Sequence, residues 1–352
     1  MQDGDPGRGA VSRIAVVPGD GIGPEVIDPA LALFDRLALD VELDVLDHVN
    51  AETYLRTGRA LTEEDLDRLR GSAAILLGAV GDPRLHDTPY VRSVLTRLRA
   101  ELDLYANCRP ARLWHDRLSP LREEKRRGID CVIVRENTEG LYSGIGGALG
   151  DGTAREVALD VDVSTYHGVS RVLDFAFSVA RTSVCVVDKA NAVRHGGSLW
   201  QRCWREAVAR HPEVPARHLY VDAAAMKLVM DPTEFDVIVT NNAHGDILSD
   251  LTAGLAGGLG LAASANLNVA TGHGLFEPVH GSAPDIAGTG TANPLAAILS
   301  AALLIEHLGH PGEAEAVRDA VARVIEHDQV TRDLGGVRST QEVGAAVLAE
   351  LR

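Results

Sequence analysis

Short, continuous runs of apolar residues recur along the chain and alternate with segments in which apolar residues repeat every three to four positions. The runs have strand length and are rich in β-branched residues, whereas the periodic segments have the spacing of one helix face. Strands that are apolar throughout are typical of parallel sheets covered by helices on both faces. The pattern predicts an α/β fold, with strands near residues 12–17, 73–78, 104–110, 131–134, 183–187, 218–221 and 235–240.

The strand at 235–240 is followed by a polar Asn-Asn turn and by apolar residues at helical spacing, which predicts a strand, a loop and a helix. Asp246 and Asp250 are four residues apart in that helix, so their carboxylates share one face, about 5–6 Å apart at Cβ. Mg²⁺ or Mn²⁺, which take oxygen ligands, would relieve the repulsion between them. Alternatively, both acids simply favour the positive end of the helix dipole, and these residues alone favour that explanation.

A glycine-rich turn at residues 19–23 follows the first strand and precedes a helix with Pro24 at its first position. A strand, a glycine turn and a helix in this order suggest a Rossmann dinucleotide-binding fold. The spacing is G-x-G-x-G rather than G-x-G-x-x-G, and no ribose-binding acid ends a second strand. The motif is therefore a weak signal for that fold.

Three arginines and one lysine lie where predicted elements end. Arg99 lies in a helix predicted from residue 88 to 102, Arg109 in an apolar strand, and Arg135 at the end of another. Arginines are mostly solvated, yet three at element ends can form a bidentate clamp for carboxylates. Lys189 follows the strand at 183–187, where desolvation would lower its pKa, although a plain surface lysine explains the position about as well.

Three other segments carry weaker signals. Asp222 precedes an alanine-rich helix and could serve as its N-cap. Residues 274–288 are rich in glycine, proline and hydrogen-bonding groups and are predicted to form one long loop, and loops of that length are usually functional. Residues 1 to about 10, rich in glycine and aspartate, are predicted to be a disordered tail.

Composition narrows the classes of function. The 352 residues are enough for two domains, because a single core rarely grows beyond about 250–300 residues. A net charge of −16 argues against a nucleic-acid partner, since such proteins carry basic patches. No apolar run approaches the roughly 18 residues of a membrane helix, and the first residues lack a signal-peptide pattern, so we expect a cytoplasmic protein. The four cysteines are far apart and are expected to be buried thiols rather than disulfides or zinc ligands.

Five motifs stand out when the chain is taken as a whole: GDGIGPE at 19–25, RENTEGLY at 135–142, DKAN at 188–191, GDILSD at 245–250 and EPVHGSAPDI at 277–286. In this order and spacing they resemble the β-decarboxylating dehydrogenases, which include 3-isopropylmalate, isocitrate, homoisocitrate and tartrate dehydrogenases. The resemblance runs from about residue 12 to the end. It implies a two-domain isocitrate/isopropylmalate dehydrogenase-like α/β fold with a large mixed sheet, and not a Rossmann fold.

The resemblance also implies how the chain is organised. Residues 1–104 together with 258–352 would form the cofactor-binding domain, and residues 105–257 the substrate, metal and dimerisation domain. The protein would be a homodimer with shared active sites, or a higher oligomer.

The same resemblance implies roles for single residues. Lys189, supplied by the second subunit, would help to remove the proton of the substrate hydroxyl, and Tyr142 would protonate the product. An aspartate at 285 would repel a 2′-phosphate, so NAD is expected rather than NADP. Because the family's substrates can chelate a metal, the resemblance favours metal binding over the helix dipole as the explanation for Asp246 and Asp250. The remaining assignments are Arg99, Arg109 and Arg135 for the substrate carboxylates, Asp222 of the second subunit with Asp246 and Asp250 for Mg²⁺ or Mn²⁺, and Glu277, His280, Gly281, Ala283, Asp285, Ile286 and Asn293 for the cofactor.

The helix before Arg99 bears on the substrate. Leu95 suits an isopropyl group, whereas Thr96 and Arg92 are more polar than an aliphatic pocket favours. Because it is the commonest NAD-linked activity of the family that the chain resembles, we expect NAD-dependent oxidative decarboxylation of 3-isopropylmalate, as in leucine biosynthesis. The alternatives are homoisocitrate, tartrate or another 3-substituted malate, including one with an acidic side group. A non-catalytic relative is disfavoured because no clamp arginine, lysine or metal carboxylate is missing. His244, beside the metal residues, departs from the family pattern and has no assigned role.

Overall fold

The computed structural model describes residues 11–351, so the predicted disordered tail at residues 1–10 lies outside the described residues. The strands are β1 Ser12–Gly19, β2 Val41–Val45, β3 Ala74–Ala79, β4 Ala106–Arg112, β5 Asp130–Glu136, β6 Gly146–Leu149, β7 Val157–Asp160, β8 Val184–Asp188, β9 Ala216–Tyr220, β10 Val237–Thr240, β11 Ala263–Asn268 and β12 His273–Pro278. The α-helices are α1 Gly23–Arg36, α2 Ala51–Thr57, α3 Glu63–Arg70, α4 Arg97–Glu101, α5 Tyr166–Val179, α6 Arg194–Arg210, α7 Val221–Met230, α8 Asn242–Leu255, α9 Leu295–His307, α10 Pro311–Glu326 and α11 Thr340–Glu350.

Ten strands form one mixed sheet in the order β2-β1-β3-β12-β11-β4-β5-β10-β8-β9. The first four in this order run parallel to one another, and so do the last four. Between them, β11 and β4 are antiparallel to both of their neighbours, so the two parallel groups point in opposite directions. A Rossmann sheet is mostly parallel, so the prediction of a large mixed sheet in place of a Rossmann fold is confirmed.

Buried apolar side chains form four clusters, whose members follow the course of the chain. Two clusters are drawn from residues 14–104 and 261–351, and the other two from residues 105–255. The first includes Phe276 of β12 and Ile298 of α9, and the third includes Val239 of β10 and Leu173 of α5. Chain segments far apart in sequence therefore share one half of the core, and the continuous middle segment builds the other.

Three local predictions need correction. Residues 274–278 belong to β12, so the long loop begins only after this strand, because Leu275 and Phe276 are buried in the sheet. Asp222 is not an N-cap but lies in the first turn of α7, with no side-chain cap bond at that helix. The helix before Arg99 is not α-helical throughout: Arg92–Thr96 has π-helical hydrogen bonding and continues directly into α4.

The short strands β6 and β7 pair with each other in a separate two-stranded sheet. All eight residues are exposed, including Leu149 at 70% and Leu159 at 59%. Such an apolar surface is unusual for a chain without a binding partner.

The cysteines are unpaired thiols, as predicted. Cys131, Cys185 and Cys203 are buried and Cys108 is half-buried. Burial raises the pKa of the Cys131 thiol to about 12, so it stays protonated at neutral pH. Within residues 11–351, no helix is both long enough and apolar enough to cross a membrane.

Candidate active site

Helix α8 holds the two aspartates that the sequence placed on one helix face. The side chain of Asn241 caps the helix by accepting a hydrogen bond from the His244 backbone N–H at 2.9 Å. Asp246 and Asp250 both face Arg109, whose Nη1 lies 3.6 Å from Asp246 Oδ1 and 3.7 Å from Asp250 Oδ1. The strand, turn and helix thus deliver a pair of carboxylates to one cation.

Arg109 and Arg135 come from the neighbouring antiparallel strands β4 and β5, and both are buried. Arg135 donates from Nε to Asn242 Oδ1 at 2.8 Å and pairs through Nη1 with Asp246. Burial, reinforced by the charges of Arg109 and Arg99, lowers the pKa of Arg135 to about 10. Burial likewise lowers the pKa of Arg109. Three mutually repelling cations at one place form a site that a polyanion would stabilise.

Arg99 completes this cluster from α4. Its Nη2 donates to Glu277 Oε1 at 2.9 Å, and Nε is buried without a hydrogen-bond partner among the described residues. Glu277 is the penultimate residue of β12, so this ion pair joins the helix to the sheet. Glu277, which the resemblance assigns to the cofactor, therefore directly contacts Arg99, which the resemblance assigns to the substrate.

Tyr142 lies over the aspartate and arginine pair. Its hydroxyl donates to Asp246 Oδ2 at 3.0 Å, and its ring centroid is 5.5 Å from Arg135 Cζ. Burial and the neighbouring Asp246 carboxylate raise the pKa of Tyr142, so the phenol keeps its proton at neutral pH. A protonated phenol among carboxylate-binding residues can act as a proton donor.

The two aspartates of α8 differ in their electrostatic surroundings. Burial opposes ionisation of Asp246, but Arg135 and Arg109 outweigh it and the pKa of that carboxyl is lowered. Burial raises the pKa of Asp250, with the charge of Asp246 adding to it and Arg109 opposing it. Two carboxylates suit a hard cation, yet residues 11–351 contain no group of three or more His, Cys, Asp or Glu that could hold a metal. The chain alone therefore supplies only part of a coordination shell.

Lys189 and Asp222 form their own ion pair, and within residues 11–351 Lys189 makes no ion pair with Asp246 or Asp250. Lys189 Nζ donates to Asp222 Oδ1 at 2.6 Å and lies 5.7 Å from the centre of the Tyr220 ring. Neither residue lines a cavity that contains Asp246. The structure thus separates the predicted site into a cluster around Asp246 and an exposed Lys189–Asp222 pair.

Two adjoining cavities share Arg99 and Tyr142. The first, about 280 Å³, also contains Arg109, Arg135, Asp246, Glu277, His280, Gly281 and Leu95. The second, about 300 Å³, contains Thr96 and Arg92 with polar neighbours such as Asn137 and Asp160. The Arg92 guanidinium lies against Gly144, where Nη2 is 1.6 Å from the position a Cβ would take. Arg92 thus extends across the second cavity.

A third cavity, about 570 Å³, adjoins the first at His280. His280, Ala283, Ile286 and Asn293 line it, whereas Asp285 is exposed outside its lining. His280 Nε2 is buried without a partner among the described residues, and burial lowers the pKa of this imidazole, so it is neutral at pH 7. The groove combines apolar walls with unsatisfied polar atoms, which suits a large ligand.

Sequence reasoning missed several polar residues of the site. Ser249 Oγ accepts from Arg109 Nη1 at 2.7 Å, and Asn242 binds Arg135. Ser249 follows Asp246 by three positions, so helical spacing could have found it. Asn266 bonds Glu277 at 2.9 Å, and an asparagine inside a strand-length apolar run gave no signal beyond its own polarity.

Gly245 lies where α8 crosses Arg135, and its replacement by alanine is expected to destabilise the protein by about 1–3 kcal/mol. The added Cβ would lie 2.6 Å from Arg135 Cβ and 2.7 Å from Cγ. Gly254, in the same helix, has nothing within 4 Å of such a Cβ, so Gly254→Ala should stabilise by up to about 1 kcal/mol through helix propensity. Urea unfolding of both variants measures the difference, and equal shifts would contradict the close packing.

Comparison with known proteins agrees with this architecture. The family described as isocitrate/isopropylmalate dehydrogenase matches residues 13–347. The 3-isopropylmalate dehydrogenase of Leifsonia xyli is 47% identical over 96% of this chain and 97% of its own, and that of Corynebacterium efficiens is 46% identical over 96% and 98%. The isocitrate dehydrogenase structure from Methylococcus capsulatus is 37% identical with a TM-score of 0.88 over 97% of this chain and 99% of its own. The beta-decarboxylating dehydrogenase structure from Thermococcus kodakarensis is 40% identical with a TM-score of 0.79 over 97% and 96%. The chain belongs to the isocitrate/isopropylmalate dehydrogenase family and is an enzyme of that family.

Proposed function

We propose that the protein catalyses the NAD-dependent oxidative decarboxylation of 3-isopropylmalate, the reaction of leucine biosynthesis. The observation that carries this proposal is the convergence of Arg99, Arg109 and Arg135 with Asp246 and Tyr142 on one cavity. Three cations suit a dicarboxylate, and Leu95, Leu77 and Val80 in the same cavity suit an isopropyl group. The relatives named 3-isopropylmalate dehydrogenase support the same substrate.

The arginines bind and orient the malate. Their buried guanidinium groups donate to the two carboxylates and exclude water from the reacting carbons. In the absence of substrate, Arg135 binds Asp246 and Arg99 binds Glu277, so internal carboxylates stabilise the cations until the malate arrives.

Asp246 and Asp250, with the partner subunit's Asp222, are the groups that would hold Mg²⁺ or Mn²⁺. Their oxygen-only donors match a hard cation, and the incomplete set within one chain fits a third ligand from outside it. When bound, the metal would lower the pKa of the substrate hydroxyl. After oxidation the same oxygen belongs to a carbonyl group, and the metal would stabilise the negative charge that develops on it.

Lys189 and Tyr142 move the protons. The partner subunit's Lys189 would take the proton of the substrate hydroxyl, and NAD⁺, when bound, would supply the acceptor for the hydride of carbon 2, so that the alcohol becomes a β-keto acid. Loss of CO₂ leaves an enol, and the phenol of Tyr142, held protonated beside Asp246, delivers a proton to the enol carbon.

NAD would occupy the third cavity. The unpartnered His280 Nε2 and the Asn293 side chain supply polar contacts, and Ile22 and Ile286 supply apolar ones. Asp285 is exposed beside this groove, where its carboxylate would accept hydrogen bonds from ribose hydroxyls and repel a 2′-phosphate. We therefore propose NAD rather than NADP.

A homodimer with shared active sites would join the two parts of the site. Helices α7 and α8 both expose apolar side chains, with Met226 at 57% and Met230 at 53% on α7 and Ile247 at 66% on α8. The sheet of β6 and β7 adds a second exposed apolar surface. Because α8 carries Asp246 and α7 carries Asp222, pairing these helices between two copies would bring each Lys189–Asp222 pair to the neighbouring cavity.

We also propose the two-domain division. Residues 1–104 with 258–352 would bind the cofactor, and residues 105–257 would bind substrate and metal and form the dimer. The division of the core clusters near residues 104 and 258 supports it, since each domain needs its own core.

Arg92 favours an alternative substrate. It makes no ion pair among the described residues and extends across the polar second cavity. A malate with an acidic group on its C3 side chain, such as homoisocitrate, would pair with it. This alternative uses the same machinery and differs only in the substituent.

Turnover tests the proposed function directly. With NAD⁺ and Mg²⁺, 3-isopropylmalate is expected to give NADH and CO₂, and a chelator should abolish the activity until Mg²⁺ is restored. NADP⁺ should support a kcat/KM at least about tenfold lower. Homoisocitrate, isocitrate and tartrate assayed in parallel identify the substituent. No turnover with any of these acids would refute the proposal, and activity unaffected by the chelator would remove the metal from it.

A further inference from the structure

A buried network of amide side chains crosses the middle of the sheet and ends at the active site. Asn266 of β11 stands directly opposite Asn107 of β4, and both are fully buried. Asn107 Nδ2 donates to Asn266 Oδ1 at 2.9 Å, and Asn137 Nδ2, from beyond β5, donates to the same oxygen at 2.9 Å. Two asparagines of the middle segment are therefore tied to one strand of the other core half.

Asn266 uses its whole hydrogen-bonding capacity. Its Oδ1 accepts from the two asparagines, and its Nδ2 donates to Leu275 O at 3.1 Å and to Glu277 Oε1 at 2.9 Å. A carbonyl and a carboxylate can only accept, so the amide nitrogen must face them and the amide has a single orientation. Four bonds from one buried side chain fix it more firmly than packing alone would.

The network reaches the substrate clamp through Glu277. The oxygen Oε1 that accepts from Asn266 also accepts from Arg99 Nη2 at 2.9 Å. The other oxygen, Oε2, has no hydrogen-bond partner among the described residues, although Glu277 lines the cavity. The bond from Asn266 therefore holds one oxygen of Glu277 on Arg99 and leaves the second available to the cavity.

We propose that Asn266 is a positioning residue for substrate binding, which acts by holding Glu277 against Arg99. This inference rests on the proposed function, in which Arg99 binds a substrate carboxylate. Without Asn266, Glu277 could rotate away from the guanidinium, and Arg99 would lose the contact that aims it at the malate. A second consequence is that residues of both β4 and β11 influence the position of Arg99.

A purely structural role is the alternative, because buried polar networks also fix strand register. The two roles differ in kinetics. Damage to folding lowers the active fraction and hence the apparent kcat, with KM unchanged. Misplacement of Arg99 weakens binding of substrate and raises KM.

Asn266→Ala is therefore compared with Asn268→Ala. Asn268 is also buried, two residues further along β11 and on the same face. Its Oδ1 accepts from the backbone N–H groups of Ala270 and Thr271, and its Nδ2 makes only long contacts, 3.4 Å to Leu102 O and 3.5 Å to Asp103 Oδ2, with no bond to Glu277. Asn266→Ala should raise the KM for the malate about tenfold or more, as expected for a lost hydrogen bond to a charged group, with kcat within about threefold. Asn268→Ala should leave KM unchanged. An unchanged KM in a folded Asn266→Ala protein would overturn the positioning role.

Further measurements cover poor folding of Asn266→Ala. Asn266→Ser adds no buried charge and keeps a small hydroxyl, but this side chain is too short to donate to Glu277, so the variant should fold and still raise KM. A double-mutant cycle with Glu277→Gln should be non-additive in KM, and additivity would overturn action through Glu277. Calorimetric binding of malate gives the same comparison without turnover. Wild-type inactivity would thus refute the proposed function, whereas an equal malate Kd in wild type and Asn266→Ser would refute the positioning role.

Discussion

Replacing Lys189 with methionine is expected to lower kcat by about 10²- to 10⁴-fold, the usual contribution of a general acid–base group. The change removes the amine that takes the hydroxyl proton in the proposed mechanism and keeps a side chain of similar length. The KM for the malate should change much less, because the three arginines that bind its carboxylates remain in place. Steady-state kinetics with NAD⁺ and Mg²⁺ measure both quantities.

Lys227 offers a matched control for this substitution. It lies on α7, and its Nζ bonds a carboxylate, Glu234 Oε2, at 2.9 Å, much as Lys189 bonds Asp222. Lys227→Met removes a comparable exposed ion pair and should keep wild-type turnover, because such pairs contribute little to stability. A Lys189→Met enzyme with near wild-type kcat would remove this lysine from the mechanism.

Mixing two inactive variants is expected to restore activity if the active sites are shared. A chain with Lys189→Met keeps a sound cavity, and a chain with Asp246→Asn keeps a sound Lys189. Each site of a mixed dimer combines the cavity of one chain with residue 189 of the other. One site therefore contains both substitutions, and the other site contains neither. Random pairing makes half of the dimers mixed, so co-expression should recover about a quarter of the wild-type specific activity from two preparations that are each nearly inactive.

The contrary outcome of this experiment is equally clear. If Lys189 served the cavity of its own chain, every site would carry one lesion and co-expression would restore nothing. Combining Asp246→Asn with Tyr142→Phe is the control, because both residues lie in the same cavity and bond each other at 3.0 Å. That pair should not complement.

The relative placement of two site residues could be predicted from the sequence, but the residues around them could not. Helical spacing placed Asp246 and Asp250 on one face, and the structure has both facing Arg109. The spacing alone favoured a helix-dipole explanation, because it showed two acids and no partner. The arginines come from β4 and β5, strands more than 100 residues earlier in the chain, and only tertiary structure brings them to α8.

Other features could not be predicted from the local sequence pattern, because they depend on hydrogen-bond register or on contacts with distant segments. Glycine and proline in residues 274–278 signalled a loop, but pairing with β3 and β11 makes them a strand. The π-helical turn at Arg92–Thr96 differs from an α-helix only in hydrogen-bond register, which apolar spacing does not specify over so short a length. The function of Asn266 depends on partners in three other segments, so its own neighbours in sequence carry no trace of it.

The position of β12 in the sheet affects how the protein folds during its synthesis on the ribosome. Strand β3 pairs with β12, roughly 200 residues later in the chain. At about 5–20 residues per second, the edge of β3 waits some 10–40 s before its neighbour is synthesised. The middle segment, by contrast, is continuous and can collapse as it emerges. We therefore expect the middle segment of the nascent chain, residues 105–257, to fold first, while the amino-terminal strands depend on chaperone protection until the last hundred residues are synthesised.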